Sequence, residues 1–306
     1  MSGAWVAGST RARALVRRRL GEAGTRRLAQ AGTFEAAVDA LSDTPYGHDV
    51  RSGQDRAAAE RAVSATLLWH LRVLAGWAPQ QGTDVMRLLA RWFEIANVDA
   101  LLAGEDAPFK LGALATSWSR LAQAGTPQAV RATLVSSAWG DPGDDSPRGI
   151  QLGMRLSWAV HLADAFDPAV PWAAGATALL VARERLLEGR ELNPQSSARA
   201  AALLGREAPR AGSLPEMAAC LPVAAAWVIE DLERPEDLWR GEIHWWRRLD
   251  RDGRALLADS RFRLEPVVGA LAVLAVDAWR TRAALALAAR GAEGFAPGMG
   301  DRDEWP

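Results

Sequence analysis

The sequence predicts an all-α protein, and three observations carry that expectation. Apolar residues recur at helical spacing along most of the chain. No stretch alternates apolar and polar residues with β-branched enrichment for more than a few positions, so strands are not expected. One helical pattern also recurs three times.

The first observation is clearest after Thr83. Val85, Leu88, Leu89, Trp92, Phe93 and Ala96 follow the i, i+3, i+4, i+7 rhythm, while Asp84, Arg87, Arg91 and Glu94 take the other face. Thr83 is the expected N-cap and Gly104 the expected C-terminal stop. A second amphipathic helix is predicted over 236–258, entered after Pro235, with Trp239, Ile243, Trp246 and Leu249 on one stripe. Breaks fall at Asp43–Asp49, Gly104–Ala107, Asp141–Pro147 and Asn193-Pro194, where Gly, Pro, Asn and Asp gather. Residues 292–306, rich in glycine, proline and charge, read as a flexible tail.

The repeat is the most informative feature. Residues 27–47 (RLAQAGTFEAAVDALSDTPYG) and 120–140 (RLAQAGTPQAVRATLVSSAWG) are identical at 10 of 21 positions, at a fixed offset of 93, with Tyr46 matched by Trp139. A third, weaker copy starts at Ala211. All three share Ala-Gly-[Ser/Thr] with a leucine eight residues after the hydroxyl residue, at Leu41, Leu134 and Leu221. Here the glycine should end one helix, Thr33, Thr126 or Ser213 should cap the next, and the leucine should be buried two turns on. Each copy also closes alike, in ARWFEIANVDALLAG (90–104), ALLVARERLLEG (178–189) and DAWRTRAALALAARG (277–291), with Trp92 and Trp279 both twelve before the closing glycine. The expected organisation is three similar helical modules over 1–104, 105–190 and 191–291.

Composition narrows the function. Lys and Arg total 36 against 37 Asp and Glu, a net charge of −1, which offers no broad footprint for nucleic acid. The most hydrophobic run, Val267–Val276, ends at Asp277, Arg280 and Arg282 and is too short to span a bilayer. Cys220 is the one cysteine, which excludes an internal disulfide and fits a reducing cytosol; it is expected inside an apolar helix over 217–228 as an inert thiol. Fourteen tryptophans against one tyrosine read first as helix-packing residues.

Four stretches resemble the central-stalk adaptor of V-type and A-type rotary ATPases, the C subunit of the prokaryotic motors and the d subunit of the eukaryotic ones. Arg11-Ala-Arg-Ala-Leu-Val-Arg-Arg-Arg-Leu20 is similar to the family's first helix, and Leu41-Ser-Asp-Thr-Pro-Tyr-Gly47 to its leucine–threonine–tyrosine turn. Arg91-Trp-Phe-Glu-Ile-Ala-Asn97 resembles its aromatic–acid–asparagine signature, and Val276-Asp-Ala-Trp-Arg-Thr-Arg-Ala-Ala-Leu285 its last helix. The resemblance spans about residues 9–291, although Trp279-Arg280 departs from the acid–isoleucine–asparagine core and 178–189 has no asparagine. It implies three modules in a pseudo-threefold arrangement that forms a funnel. The funnel's socket would grip the coiled-coil axle of the soluble motor, and its base would rest on the membrane rotor ring. The implied role is non-catalytic: coupling ATPase rotation to proton or sodium transport from the cytoplasmic side, peripheral to the membrane, with no cofactor. Arg91, Glu94, Asn97, Arg183, Arg185, Asp277, Arg280 and Arg282 are the expected socket residues; otherwise they form solvated faces or internal pairs worth under about 1 kcal/mol each.

Catalytic signatures are absent from the sequence. No phosphate-cradling P-loop, GxGxxG, GxSxG or HExxH is present, and His48, His70, His161 and His244 lie at no metal-ligand spacing. Asp144-Asp145 sits in a turn between Gly143 and Pro147 rather than on a helix that could hold magnesium. The charged run Glu230–Arg254 reads as a solvated helix with i,i+4 pairs, or, because Trp245 and Trp246 cannot both face one core, as an interaction face. A helical scaffold with unrelated partners is the alternative function, and a helical enzyme with an enclosed polar pocket a third.

Overall fold

The structure, a computed structural model, describes residues 3–290. The expected tail over 292–306 lies outside the described residues. Among those described there is no strand. The chain runs through α1 (Ala4–Arg17), α2 (Gly21–Ala29), α3 (Phe34–Ser42), α4 (Arg56–Ala75), α5 (Gln80–Leu102), α6 (Trp118–Leu121) and α7 (Pro127–Val135). It continues through α8 (Pro147–Ala165), α9 (Val170–Ala182), α10 (Pro194–Leu204), α11 (Leu214–Cys220), α12 (Val223–Ala226), α13 (Leu238–Ala258) and α14 (Leu264–Ala289). The protein is all-α.

Two compact units divide the chain, 1–83 with 249–306, and 84–248. In the first, α14 packs against α1, α2, α3 and α4. It can be central because it is apolar on every side, with Val267, Val268, Leu271, Leu274, Ala278 and Leu285 all buried. Two glycines let α13 and α14 meet closely. A Cβ on Gly269 would lie 2.6 Å from the Gly253 carbonyl oxygen and 2.8 Å from the Leu257 backbone nitrogen. In the second unit, α8 and α9 pack on each other and α10 rests on both. Gly175 on α9 makes room for the ring of Trp227, which would stand 2.6 Å from an added Cβ.

The three repeat copies build three apolar cores with one grammar. Thr33, Thr126 and Ser213 each accept a hydrogen bond from the backbone N–H three residues on, at Ala36, Ala129 and Glu216. One turn in, Ala37, Val130 and Met217 are buried; two turns in, so are Leu41, Leu134 and Leu221. The reading of the preceding glycine holds only for the first copy, where Gly32 adopts φ 80°; Gly125 and Gly212 do not have a positive φ.

Each core is completed by a closing helix from elsewhere in the chain. The core around Leu28, Leu41 and Val63 takes Ala278, Leu285 and Ala288 from α14. The core around Leu121, Leu134 and Ile150 takes Ile95 and Val98 from α5. The core around Leu214, Leu221 and Ile229 takes Ala178 and Val181 from α9. A copy's closing helix therefore fills the core of the next copy, and the last helix fills the first.

Several local expectations are corrected. α5 begins at Gln80, so Thr83 lies inside the helix, its hydroxyl donating to the Ala75 carbonyl at 3.1 Å instead of capping. The apolar helix expected over 217–228 is broken after Cys220 by Leu221-Pro222, and Cys220 is exposed rather than packed. Trp245 and Trp246 resolve the problem of their adjacency by packing edge to face, 5.0 Å between centroids, while Trp245 donates its indole N–H to the Trp172 carbonyl at 2.8 Å.

Candidate functional site: buried carboxylates and arginine faces

Two closing helices carry a buried acid that holds its module together in the same way. Glu94 on α5, 1% exposed, accepts from the backbone N–H of Thr116 (2.7 Å) and Ser117 (3.0 Å) and from the Trp139 indole N–H (2.8 Å). Asp277 on α14, 3% exposed, accepts from the backbone N–H of Leu20 (3.1 Å) and Gly21 (2.7 Å) and from the Tyr46 hydroxyl (3.0 Å). Tyr46 and Trp139 are the aromatic pair at offset 93, so the matched rings end on matched carboxylates. A carboxylate suits this task because it accepts several donors at once, where a neutral side chain would leave one unmet.

A hydroxyl turn presents each ring. Thr44 donates to the Leu41 carbonyl (2.6 Å) and accepts from the Tyr46 N–H (3.2 Å). Ser137 donates to the Leu134 carbonyl (2.8 Å) and accepts from the Trp139 N–H (3.2 Å). The sequence signal for this pair was available, since Thr44 and Ser137 also stand 93 apart. The third copy has lost the device: Ala224 and Ala226 stand where the hydroxyl and the ring would, and Trp227, one residue on, donates its indole N–H to the Ala224 carbonyl. Its closing segment still buries an acid, Glu184, but pairs it with Arg148.

These contacts also correct the register of the closing helices. Glu94 stands ten residues before Gly104 and Asp277 fourteen before Gly291, so the shared chemistry follows the acids and not the glycines or the Trp92–Trp279 match. Trp92 is about half exposed and packs against Trp158 with the rings tilted, 5.4 Å between centroids.

Burial shifts the ionisation of these groups. Desolvation pushes the Asp277 carboxyl up, opposed by its hydrogen bonds from Gly21, Tyr46 and Leu20. Desolvation and the Asp277 charge push the Tyr46 hydroxyl well above its ordinary range, so it stays a donor. The Arg91 guanidinium is pulled down by burial, with Glu94 opposing.

The eight expected socket residues divide by burial. Glu94, Asn97 and Asp277 are buried. Asn97 clamps the loop after α5, donating to the Phe109 carbonyl (2.8 Å) and accepting from the Phe109 N–H (2.9 Å). Arg91 is half-buried, donating to Thr116 (3.2 Å) and to His161 Nδ1 (3.0 Å) beneath the Trp139 ring. These residues of α5 therefore work together on the 109–117 loop.

Arg183 and Arg185 sit elsewhere in that unit, on a π turn over Arg183–Leu187 that continues α9. π turns are rare, and those inside helices frequently fall at functional sites. Arg183 pairs with Glu242, and Arg185 with Glu191 at 2.7 Å. In the other unit Arg280 bridges Asp250 (3.1 Å) and Glu22 (3.5 Å). Arg282 is largely buried, its Nε without a hydrogen-bond partner among the described residues.

Among the described residues no group of three His, Cys, Asp or Glu could hold a metal ion, and no helix is long and apolar enough to cross a membrane. Fold and site thus define a helical, repeat-built protein whose buried acids brace its own loops. Residues 9–145 match the family described as ATP synthase (C/AC39) subunit, which establishes over that stretch the resemblance to the stalk adaptors of the V-type and A-type ATPases. No curated protein matches the chain.

Proposed function

We propose that this chain is the non-catalytic central-stalk component of a V/A-type rotary ATPase, joining the coiled-coil axle of the soluble motor to the membrane rotor ring on the cytoplasmic side. The observation that carries the reading is the family match over 9–145, a stretch that contains the Tyr46 turn and the Glu94–Trp139 brace. In this reading the three modules, over 1–104, 105–190 and 191–291, form a pseudo-threefold funnel, and rotation couples ATP hydrolysis to proton or sodium transport.

A part that transmits torque must not let its loops slip under load. A buried carboxylate that accepts from two backbone N–H groups and a ring ties a loop to a helix at three points, and such charge-assisted bonds are about twice as strong as neutral ones. Glu94, Asn97 and Asp277 serve the socket by holding its walls, with Arg91 between wall and surface. Arg183, Arg185, Arg280 and Arg282 supply positive charge for the acidic face of an axle. The exposed Arg183–Glu242 pair is one an axle carboxylate can replace at small cost, since exposed pairs contribute about 0–1 kcal/mol.

Purification of the tagged chain from detergent-solubilised membranes of its native cells tests this. Co-purification of a coiled-coil axle protein and the ATPase subunits is expected. Recovery of the chain alone, or with partners unrelated to a motor, would replace the stalk reading with that of a helical scaffold.

A further inference from the structure

The unit formed by 1–83 and 249–306 contains a cavity of about 270 Å³ among the end of α1, the turn at 44–48, α4 and α14. Arg18, Arg19 and His70 line it together with the Asp277 carboxylate. His70, on α4, is only 7% exposed, lines the cavity, and has no hydrogen-bond partner among the described residues. A ring N–H that no protein group takes up is open to an occupant that accepts from it. Arg18 lines the same space and meets no carboxylate among the described residues. Arg19, beside it, gives one N–H to the Val16 carbonyl at 2.8 Å and keeps the rest of its fork.

The acids nearby are already committed. Asp277 is occupied by Tyr46, Leu20 and Gly21. Asp49 accepts from His48 at 2.8 Å and from the Thr66 hydroxyl at 2.9 Å. Neither forms an ion pair with Arg18 or Arg19 among the described residues. The volume also limits the occupant: pockets for drug-sized ligands span about 300–1,000 Å³, so this one suits a compact ion and not a nucleotide.

We propose that this cavity binds a compact oxyanion, a phosphate or carboxylate group held by the Arg18 and Arg19 guanidinium groups and the His70 ring N–H. The planar fork of arginine matches two oxygens of such a group at once, and the half-buried Trp69 ring beside His70 shields one side from solvent. Neither the stalk role nor the buried braces require this site, so it stands or falls by itself.

Calorimetric titration of the full chain with inorganic phosphate, in a phosphate-free buffer, tests the assignment. Saturable binding of one phosphate per chain is expected, with displacement of the His70 imidazole ¹⁵N resonances. Arg18→Gln should weaken binding by about tenfold or more, the loss of one charge-assisted contact. Arg18 is exposed, so this variant keeps its fold and its helical circular dichroism. A second arm identifies the source of the anion. Chain that sediments with phosphatidylglycerol vesicles and is released by phosphate takes a lipid headgroup; chain that binds phosphate but ignores vesicles takes a free ion. Absence of saturable binding, or binding that Arg18→Gln and His70→Gln leave unchanged, overturns the proposal.

Discussion

Removing the Glu94 carboxylate is the sharpest test of the bracing role. Glu94→Ala strips an acceptor from three buried donors, the Thr116 and Ser117 backbone N–H groups and the Trp139 indole. Each orphaned donor costs about 1–3 kcal/mol. Water entering the space left by the side chain holds the sum near the low end, so a loss of about 3–5 kcal/mol is expected, which is exceptional for one substitution. For a domain of this size that lowers the melting temperature by roughly 10 °C. Glu94→Gln should cost less, about 2 kcal/mol, because one carbonyl oxygen survives while the new amide faces a donor. The assay is urea unfolding followed by tryptophan fluorescence, repeated in Trp139→Phe and in the double variant. A coupling energy above about 0.5 kcal/mol between positions 94 and 139 is expected. A Glu94→Ala variant within about 1 kcal/mol of the parent, with no coupling, would refute the idea that this carboxylate ties loop to helix.

Three further predictions follow from particular contacts. Burial, with the charges of His48 and Arg18, lowers His70 from 6.5 to about 4, opposed by Asp49. Between those values the unfolded chain holds a proton that the folded chain lacks, so stability is complete above pH 6.5 and falls on acidification towards pH 4 by up to about 3 kcal/mol. Urea titrations in phosphate-free buffer should show this slope in the parent and a flatter one in His70→Gln; equal slopes contradict it. Gly269→Ala gains about 1 kcal/mol of helix propensity, yet its Cβ would press on the backbone of Gly253 and Leu257. A net loss of about 1–2 kcal/mol in stability, read from the urea midpoint, is expected, and a gain would show that α13 and α14 part freely. Thr126→Ala removes the cap accepted from Ala129 and should cost about 1 kcal/mol by thermal melting, whereas Thr126→Ser should cost almost nothing.

Much of the fold was legible because the repeat carries local rules. The caps at Thr33, Thr126 and Ser213 and the buried Leu41, Leu134 and Leu221 need only a turn or two of helix to act, and all appear where the pattern put them. The helix exchange was not legible, because a closing helix reads the same whichever core it fills; only the contacts of Ile95, Ala178 and Leu285 reveal its destination. The start of α5 was misplaced because Thr83 is a good cap in isolation, while the preceding Gln80 and Gln81 extend a helix equally well. Of the expected socket residues, Glu94, Asn97 and Asp277 are buried. The sequence could not tell a buried brace from an exposed contact, since both ask for a polar residue on a helix. The cavity beside His70 left no trace in the sequence, because its wall gathers residues from Leu15 to Asp277.

The most direct test of the stalk proposal is sedimentation velocity on the purified chain mixed with the purified coiled-coil axle protein of the same cells. A one-to-one complex is expected, weakened at least about tenfold when Arg183 and Arg185 are both changed to Glu, as loss of charge complementarity at an interface requires. Two species sedimenting independently at every concentration would contradict it.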